Sequence, residues 1–280
     1  MDNVLSRRTP FLTGGGLIQA TPHGARLILP SASSTQYSDA QLDDYAGLRR
    51  GRYPHRPLLR LSLRARFSHD LENNPGNAEG AERFYSARWS PRLRGSLLGT
   101  AGFGFWNNPL GAQSKVPALP RAIWFFYASP PSNMPLALDA PGWGWKAACI
   151  DAGRASGLAW APIAPLVMLA CRSARLYGAI WPRVQRALGI SESPLAFREG
   201  AMTDWHAYEL EWRHDGARWW VDGELALETD RSPRGPLGFV AWIDNQYAVV
   251  TPRGSFKFGL LDAPFEQWME VSEINVTSDE

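Results

Sequence analysis

Acidic side chains set among aromatic residues are where this sequence could do chemistry. Asp43 and Asp44 precede Tyr45 in the run YSDAQLDDY, Asp244 follows Trp242 and leads into Asn245 and Gln246, and Trp106 and Asn107 end the run GFGFWNN. Flat rings stack on the faces of a ring-bearing ligand, while carboxylates and amides bind its hydroxyl groups. If the three clusters converge, Asp44 and Asp244 are the candidate acid–base residues. Asp43, Tyr45, Trp106, Asn107, Trp242, Asn245 and Gln246 are then the candidate substrate-binding residues. The alternative stays open that these acids cap turns and the tryptophans fill the core.

Other chemistries find less in the sequence. Glu209-x-Glu211 places two carboxylates on one face of a strand and reads as structural, whereas Glu270 and Glu273, at odd spacing, point to opposite faces. The histidines (His23, His55, His69, His206 and His214) are dispersed, with no HExxH or paired His-Cys spacing, so no metal site is expected. No loop has the alternating oxygen ligands of a calcium site. Gly102-Phe103-Gly104 lacks the third glycine of a dinucleotide fingerprint, and no GxSxG elbow is present. No cofactor is expected. Cys149 and Cys171 are too few for a disulfide framework and read as buried thiols.

The chain of 280 residues, 45% hydrophobic and 20% charged, can bury a substantial core and is expected to form one domain. Thirteen tryptophans need either a core or a stacking surface. Net charge is only +2, so there is no strong global field and nucleic acid is not an expected partner. The amino-terminal run MDNVLSRRTPFLTGGG lacks the apolar core of a secretory signal, and a cytoplasmic location is expected.

The elements that would position these residues are mostly strands. Residues 15–30 form two apolar runs around Pro22-His23-Gly24, a first hairpin. A polar segment, Ser31 to Asp44, is expected to separate it from the next strand. From Leu59 to Phe67, apolar residues alternate with Arg60, Ser62, Arg64 and Arg66, the cleanest half-buried strand in the chain. Its arginines read as a solvated sheet face or, alternatively, as the lining of a concave groove. After a polar loop, His69 to Glu82, strands are expected at Arg83–Trp89 and Ser96–Trp106, where Gly102 and Gly104 leave one face bare for a ligand or another backbone. Ala122–Ala128 is a continuous apolar run, expected to be a central strand, and Trp143–Ile150 another. The uncharged run from Ser156 to Cys171 and the arginine-bearing run to Leu188, broken by Pro162, Pro165 and Pro182, predict a mostly helical insertion over 154–195. Three readings of it stay open: a helix packed outside the sheets, a lid over an apolar pocket, or a membrane-docking element through residues 156–188. His206 to Trp212 and Ala217 to Val221 alternate again around His214-Asp215-Gly216, and Asp222-Gly223 turns the chain once more, so two successive hairpins are expected. Leu237, Phe239 and Ala241 face one way and Val240, Trp242 and Asp244 the other. Phe256, Phe258 and Leu260 are expected to supply one more apolar face.

The pattern Trp205-His206-x-Tyr208-x-Leu210-Glu211-Trp212, followed by Trp219-Trp220-Val221-Asp222-Gly223, resembles the late strands of the concanavalin-like jelly rolls, particularly the family 16 glycoside hydrolases. Trp268 to Val276 is similar to the closing strand of that sandwich. The resemblance implies an all-β fold of two antiparallel sheets. That family carries its catalytic pair in a Glu-x-Asp-x-Glu or Glu-x-Asp-x-x-Glu strand motif, which is absent from this chain, so no family nucleophile maps onto it.

Three functions are compatible with these residues. The first is binding of a saccharide or other ring-bearing small molecule in an aromatic concave groove, with glycoside-hydrolase-like activity as its extension. The second is a divergent enzyme acting on an apolar small molecule beneath the helical lid. The third is a structural or interaction protein whose tryptophans are core.

Overall fold

The computed structural model describes residues 8–69, 96–109, 118–138, 140–195 and 201–278. Two antiparallel sheets of seven strands face each other. The first runs in the order β1 (Thr9–Thr13), β4 (Asp39–Asp43), β13 (Gly238–Asp244), β6 (Thr100–Trp106), β7 (Arg121–Ala128), β8 (Gly144–Asp151) and β9 (Ser191–Pro194). The second runs β12 (Glu224–Thr229), β11 (Ala217–Val221), β10 (His206–Trp212), β5 (Leu59–Phe67), β16 (Gln267–Ser278), β3 (Gly24–Leu29) and β2 (Leu17–Thr21). This is an all-β sandwich of the jelly-roll kind, and among the described residues a helical stretch and a separate two-stranded hairpin lie outside its two sheets.

Alternation decides which side chains go in. In β5, Leu59, Leu61, Leu63, Ala65 and Phe67 are buried while Arg60 and Arg64 are exposed. They meet Phe103 and Phe105 of β6, Phe125 and Tyr127 of β7 and Trp145 of β8 from the facing sheet, in one continuous core. Phe103, Phe125, Trp145 and Tyr208 pack edge to face or offset, with centroids 5.0 to 6.3 Å apart.

Several local expectations are corrected. The segment from Ser31 to Asp44 is not only a connector. Its Asp39-Ala40-Gln41-Leu42-Asp43 alternation forms β4, with Ala40 and Leu42 in the core. Asp215-Gly216 is not a positive-φ pair. The β10–β11 hairpin closes through Arg213 to Gly216, and Gly216 is there because a Cβ would lie 2.4 Å from the Thr229 carbonyl oxygen. The second turn, Asp222-Gly223, does carry positive φ at both positions (51° and 81°), as the primed hairpin turns require. The strand expected at Arg83–Trp89 lies outside the described residues.

Between β8 and β9 the chain forms α1 (Ala155–Leu158), a 3-10 turn at Ala161–Ile163, α2 (Ala164–Ala170) and α3 (Ala174–Ala187). Pro162 and Pro165 sit in the first turns of their helices, where a missing N–H costs nothing. Phe256, Phe258 and Leu260 join neither sheet. They lie on β15 (Phe256–Leu260), which among the described residues pairs only with β14 (Gln246–Val250) in a separate hairpin.

Candidate functional site

The outward face of the first sheet carries five of the candidate residues, Asp43, Tyr45, Trp106, Trp242 and Asp244. Trp242 of β13 lies across β6 at Gly102, where a Cβ would come within 2.7 Å of its indole. Tyr45 lies on Gly238 in the same way, at 2.2 Å. The bare face expected at the glycines therefore exists, but the protein's own rings fill it. Trp106 and Trp242 are parallel, with centroids 6.3 Å apart and planes at 6°, and Trp124 and Phe126 of β7 stack at 5.4 Å. Trp124 reaches both Trp106 (6.0 Å) and Trp242 (5.5 Å), so rings from three adjacent strands form one platform. Trp242 is nearly covered, whereas Trp106, Trp124 and Phe126 keep part of their surface in solvent.

Polar groups of β4 edge the platform. Asp39, Gln41 and Asp43 share its outward face, and Asp39 is directly opposite Asp244 on β13, itself opposite Thr100 on β6. Directly opposed residues hold their Cβ atoms about 4.5–5.5 Å apart. Asp244 Oδ1 accepts from the Thr100 hydroxyl (2.8 Å), from the Thr100 N–H (3.3 Å) and from the Gln246 N–H (2.9 Å). The Trp242 indole N–H donates to the Thr100 oxygen at 3.0 Å, which joins the platform to the acid. Asp39 and Asp244 are 2% and 6% exposed. Burial pushes Asp244 up to about 6 against the pull of its three hydrogen bonds. Burial, then repulsion by Asp244, pushes Asp39 well above the usual carboxylate range, although the Tyr37 hydroxyl beside it acts the other way. Both carboxyl groups are therefore shifted toward the protonated form, and among the described residues Asp39 Oδ1 is buried without a hydrogen-bond partner.

Tyr45 and Trp106 are in contact, the Trp106 N–H donating to the Tyr45 oxygen at 2.6 Å. Gln41 links them to the acid row by donating to Asp43 Oδ2 (2.8 Å) and to the Tyr45 oxygen (3.3 Å). Asp43 is also a turn cap, because its Oδ1 accepts from the N–H groups of Tyr45 and Ala46. Asp44 does not face Asp244. Its N–H bonds the Phe239 carbonyl, which places it roughly 17 Å along β13 from Asp244 at the usual strand rise. Its carboxylate takes the Phe239 N–H (2.9 Å) and contacts His55 Nε2 (2.6 Å), whose ring packs on the core residue Phe105. The outward residues of β4 are the odd-numbered Asp39, Gln41 and Asp43, so Asp44 has the wrong parity and the residue in register with Asp244 is Asp39.

Asn107 and Asn245 are enclosed and fully engaged with backbone. Asn107 bridges Leu119 and Arg121. Asn245 donates to the carbonyls of Ser33, Gln36 and Leu261 and accepts from the Ser38 N–H, pinning the start of the β14–β15 hairpin. Gln246 is exposed, and its backbone rather than its side chain touches Asp244. Asp39, Gln41, Thr100, Trp124 and Phe126 were not singled out by sequence reasoning. Strict alternation in Asp39-Ala40-Gln41-Leu42-Asp43 was the available signal for the first two. In Ala122–Ala128 both faces are apolar, so Trp124 and Phe126 could not be told from core.

A second concavity of about 340 Å³ lies under the helical insertion, between α2, α3, the end of β8 and the β14–β15 hairpin. Leu136, Ile150, Val167, Trp181, Leu188 and Val250 are among its walls, and Thr251 is its one side-chain hydroxyl. On the other side of the molecule, Glu209 and Glu211 are paired with Arg60, Arg213 and Arg218 on the outward face of the second sheet, in keeping with a structural role. Among the described residues no three His, Cys, Asp or Glu side chains form a metal-binding cluster.

No family model matches this chain, and no curated protein matches it. Among solved structures it is similar to Rv0315 of Mycobacterium tuberculosis, described as an immunostimulatory antigen and pseudo β-1,3-glucanase, with 11% identity, a TM-score of 0.43, and coverage of 91% of this chain and 75% of that one. The catalytic domain of the endo-1,3-β-glucanase (laminarinase) of Thermotoga petrophila matches at 12% identity and a TM-score of 0.41, covering 92% and 80%. The Crh5 transglycosylase matches at 9% identity and a TM-score of 0.42, covering 98% and 83%. The architecture assigned to this chain rests on its own strand order.

Proposed function

We propose that the outward face of the first sheet binds a ring-bearing small molecule, with saccharides as the leading class. The observation that carries this reading is the row of partly exposed rings, Trp106, Trp124 and Phe126, with the half-buried amide of Gln41 across Trp242 from them. A ligand with one apolar face and hydroxyl groups on its rim matches both halves of that surface. Thermal-shift screening against oligosaccharides and aromatic small molecules tests it, because a saturating ligand raises apparent stability. We expect a ligand that stabilises the wild type and not Trp124→Ala. No stabilising ligand, or one unaffected by Trp124→Ala and by Trp106→Ala alike, removes the reading.

Hydrolytic chemistry at this face falls to Asp39 with Asp244. They oppose each other across β4 and β13, and burial shifts both toward the protonated form, as an acid–base pair requires. On a panel of chromogenic glycosides, Asp244→Asn is expected to lower kcat/KM by about 100-fold or more. Undiminished turnover rules out the role.

A second reading is favoured by the chamber under the insertion, whose walls suit an apolar molecule and whose volume falls in the range of small-molecule sites. Stabilisation by a hydrocarbon-rich ligand that is lost in Val167→Trp, and kept in Trp124→Ala, assigns binding to the chamber instead of the platform.

A further inference from the structure

The connection from β8 to β9 presents apolar side chains on both of its sides, and only one side is covered. Val167 and Met168 of α2 line the chamber, while Leu166 and Leu169 on the opposite side are 67% and 60% exposed. A helix that is apolar all round is normally enclosed. Ile163 and Leu176, next to it in the chain, are exposed as well. The β14–β15 hairpin continues this surface: Met168 lies against the Gly254 turn, and the Arg253 guanidinium sits 5.3 Å over the Tyr177 ring of α3. From the hairpin Phe256 and Phe258 project into solvent, 61% and 67% exposed.

Charge identifies what would cover it. From Ala152 to Ser191 the chain has no Asp or Glu, yet Arg172, Arg175, Arg183 and Arg186 are all exposed. From Gln246 to Leu261 there is again no acid, and Arg253 and Lys257 are exposed. Acids and bases are nearly balanced over the whole chain, 27 against 29, so their separation here is local. A second copy of the chain docked face to face would set arginine against arginine, which is unfavourable. An anionic bilayer offers phosphates to the guanidinium groups and an acyl boundary to the leucines and phenylalanines.

We propose that the outer surface of α2, α3 and the β14–β15 hairpin docks on the surface of an anionic phospholipid bilayer. Among the described residues no helix is long and apolar enough to cross a membrane, so the contact is interfacial. Phe256 of the hairpin belongs both to this surface and to the chamber wall, so the two adjoin. The proposal is independent of ring stacking on β6, β7 and β13.

Co-sedimentation of the full chain with vesicles of phosphatidylcholine alone, and of phosphatidylcholine mixed with phosphatidylglycerol, tests it. Binding to the mixed vesicles, weakening as salt is raised, is expected. Leu166→Ser with Leu169→Ser should lower partitioning about tenfold or more, since both side chains already stand in water and the fold does not need them. Arg172→Glu with Arg175→Glu should lower it by about the same factor. Unchanged thermal unfolding of these variants confirms that the fold is intact. No sedimentation with the mixed vesicles at low salt, or sedimentation undiminished in both variants, overturns the proposal. A dimer in sedimentation velocity that dissolves in the leucine variant also overturns it, because the surface would then belong to a second copy.

Discussion

Both sheets carry tryptophans on their outward faces, and the two faces treat them differently. On the second sheet each ring lies under a guanidinium: Arg66 stands 4.8 Å over Trp205, Arg60 5.7 Å over Trp220 and Arg26 4.3 Å over Trp268. Those arginines are held in turn by Glu209 and Glu270. On the first sheet the rings lie on one another. The cause is the residue that stands beside each ring on the neighbouring strand. In β5, arginine and serine alternate with the core leucines, so the outward face is filled with long cations. In β6, glycine alternates with the core phenylalanines, and the space a side chain would occupy is taken by Trp242. An arginine over a tryptophan occupies a face that a ligand would stack on, whereas among the described residues no cation stands over Trp106 or Trp124; the rings of both sheets keep part of their surface in solvent.

The sharpest test of this contrast compares ion pairs on the two faces. Lys146, on the outward face of β8, bonds Glu192 at 2.8 Å, with the two side chains 1% and 3% exposed. Burial holds its ammonium group below the usual range although Glu192 opposes the shift. Lys146→Ala should cost about 3–5 kcal/mol in urea unfolding, because Glu192 is left buried without its counterion. A cost below about 1 kcal/mol, the range of exposed pairs, would show the first sheet to be as open as the second.

Next in size is a pH effect. Asp244 titrates near 6 in the folded protein and near 3.8 once unfolded. Between those values the folded state binds more protons, so stability falls as pH rises from about 4 to 6 and is regained on acidification through the same window. Two units correspond to roughly 3 kcal/mol, and Asp39, shifted the same way, adds to the trend. Unfolding midpoints measured across this window should show the slope, and Asp244→Asn should flatten it.

Gly102→Ala should destabilise by about 1–3 kcal/mol, as overpacking does, because the new Cβ meets the Phe125 carbonyl oxygen at 2.4 Å and Trp242 at 2.7 Å. Intrinsic tryptophan fluorescence should shift with it as the platform rearranges. Arg60→Ala, on the second sheet, is expected to cost less than about 1 kcal/mol, since its partner Glu209 stays solvated. A larger loss would mean that the guanidinium over Trp220 holds the face together and does not merely cover it.

The sequence alone determined which residues of most strands point inward. Leu59 to Phe67, His206 to Trp212 and Leu237 to Asp244 each declare their two faces by alternation, which is a local property of extended chain. It also marked the helical insertion, though the last residues of the expected range, Ser191–Pro194, became edge strand β9. The tertiary structure decided which outward faces are covered and which distant acids meet. Asp39 opposes Asp244 because β4 and β13, far apart in the chain, are neighbours in one sheet, whereas Asp44, one residue on, turns toward His55 and the core end. Strand order is fixed by how all the inward faces pack together, and no local pattern contains it.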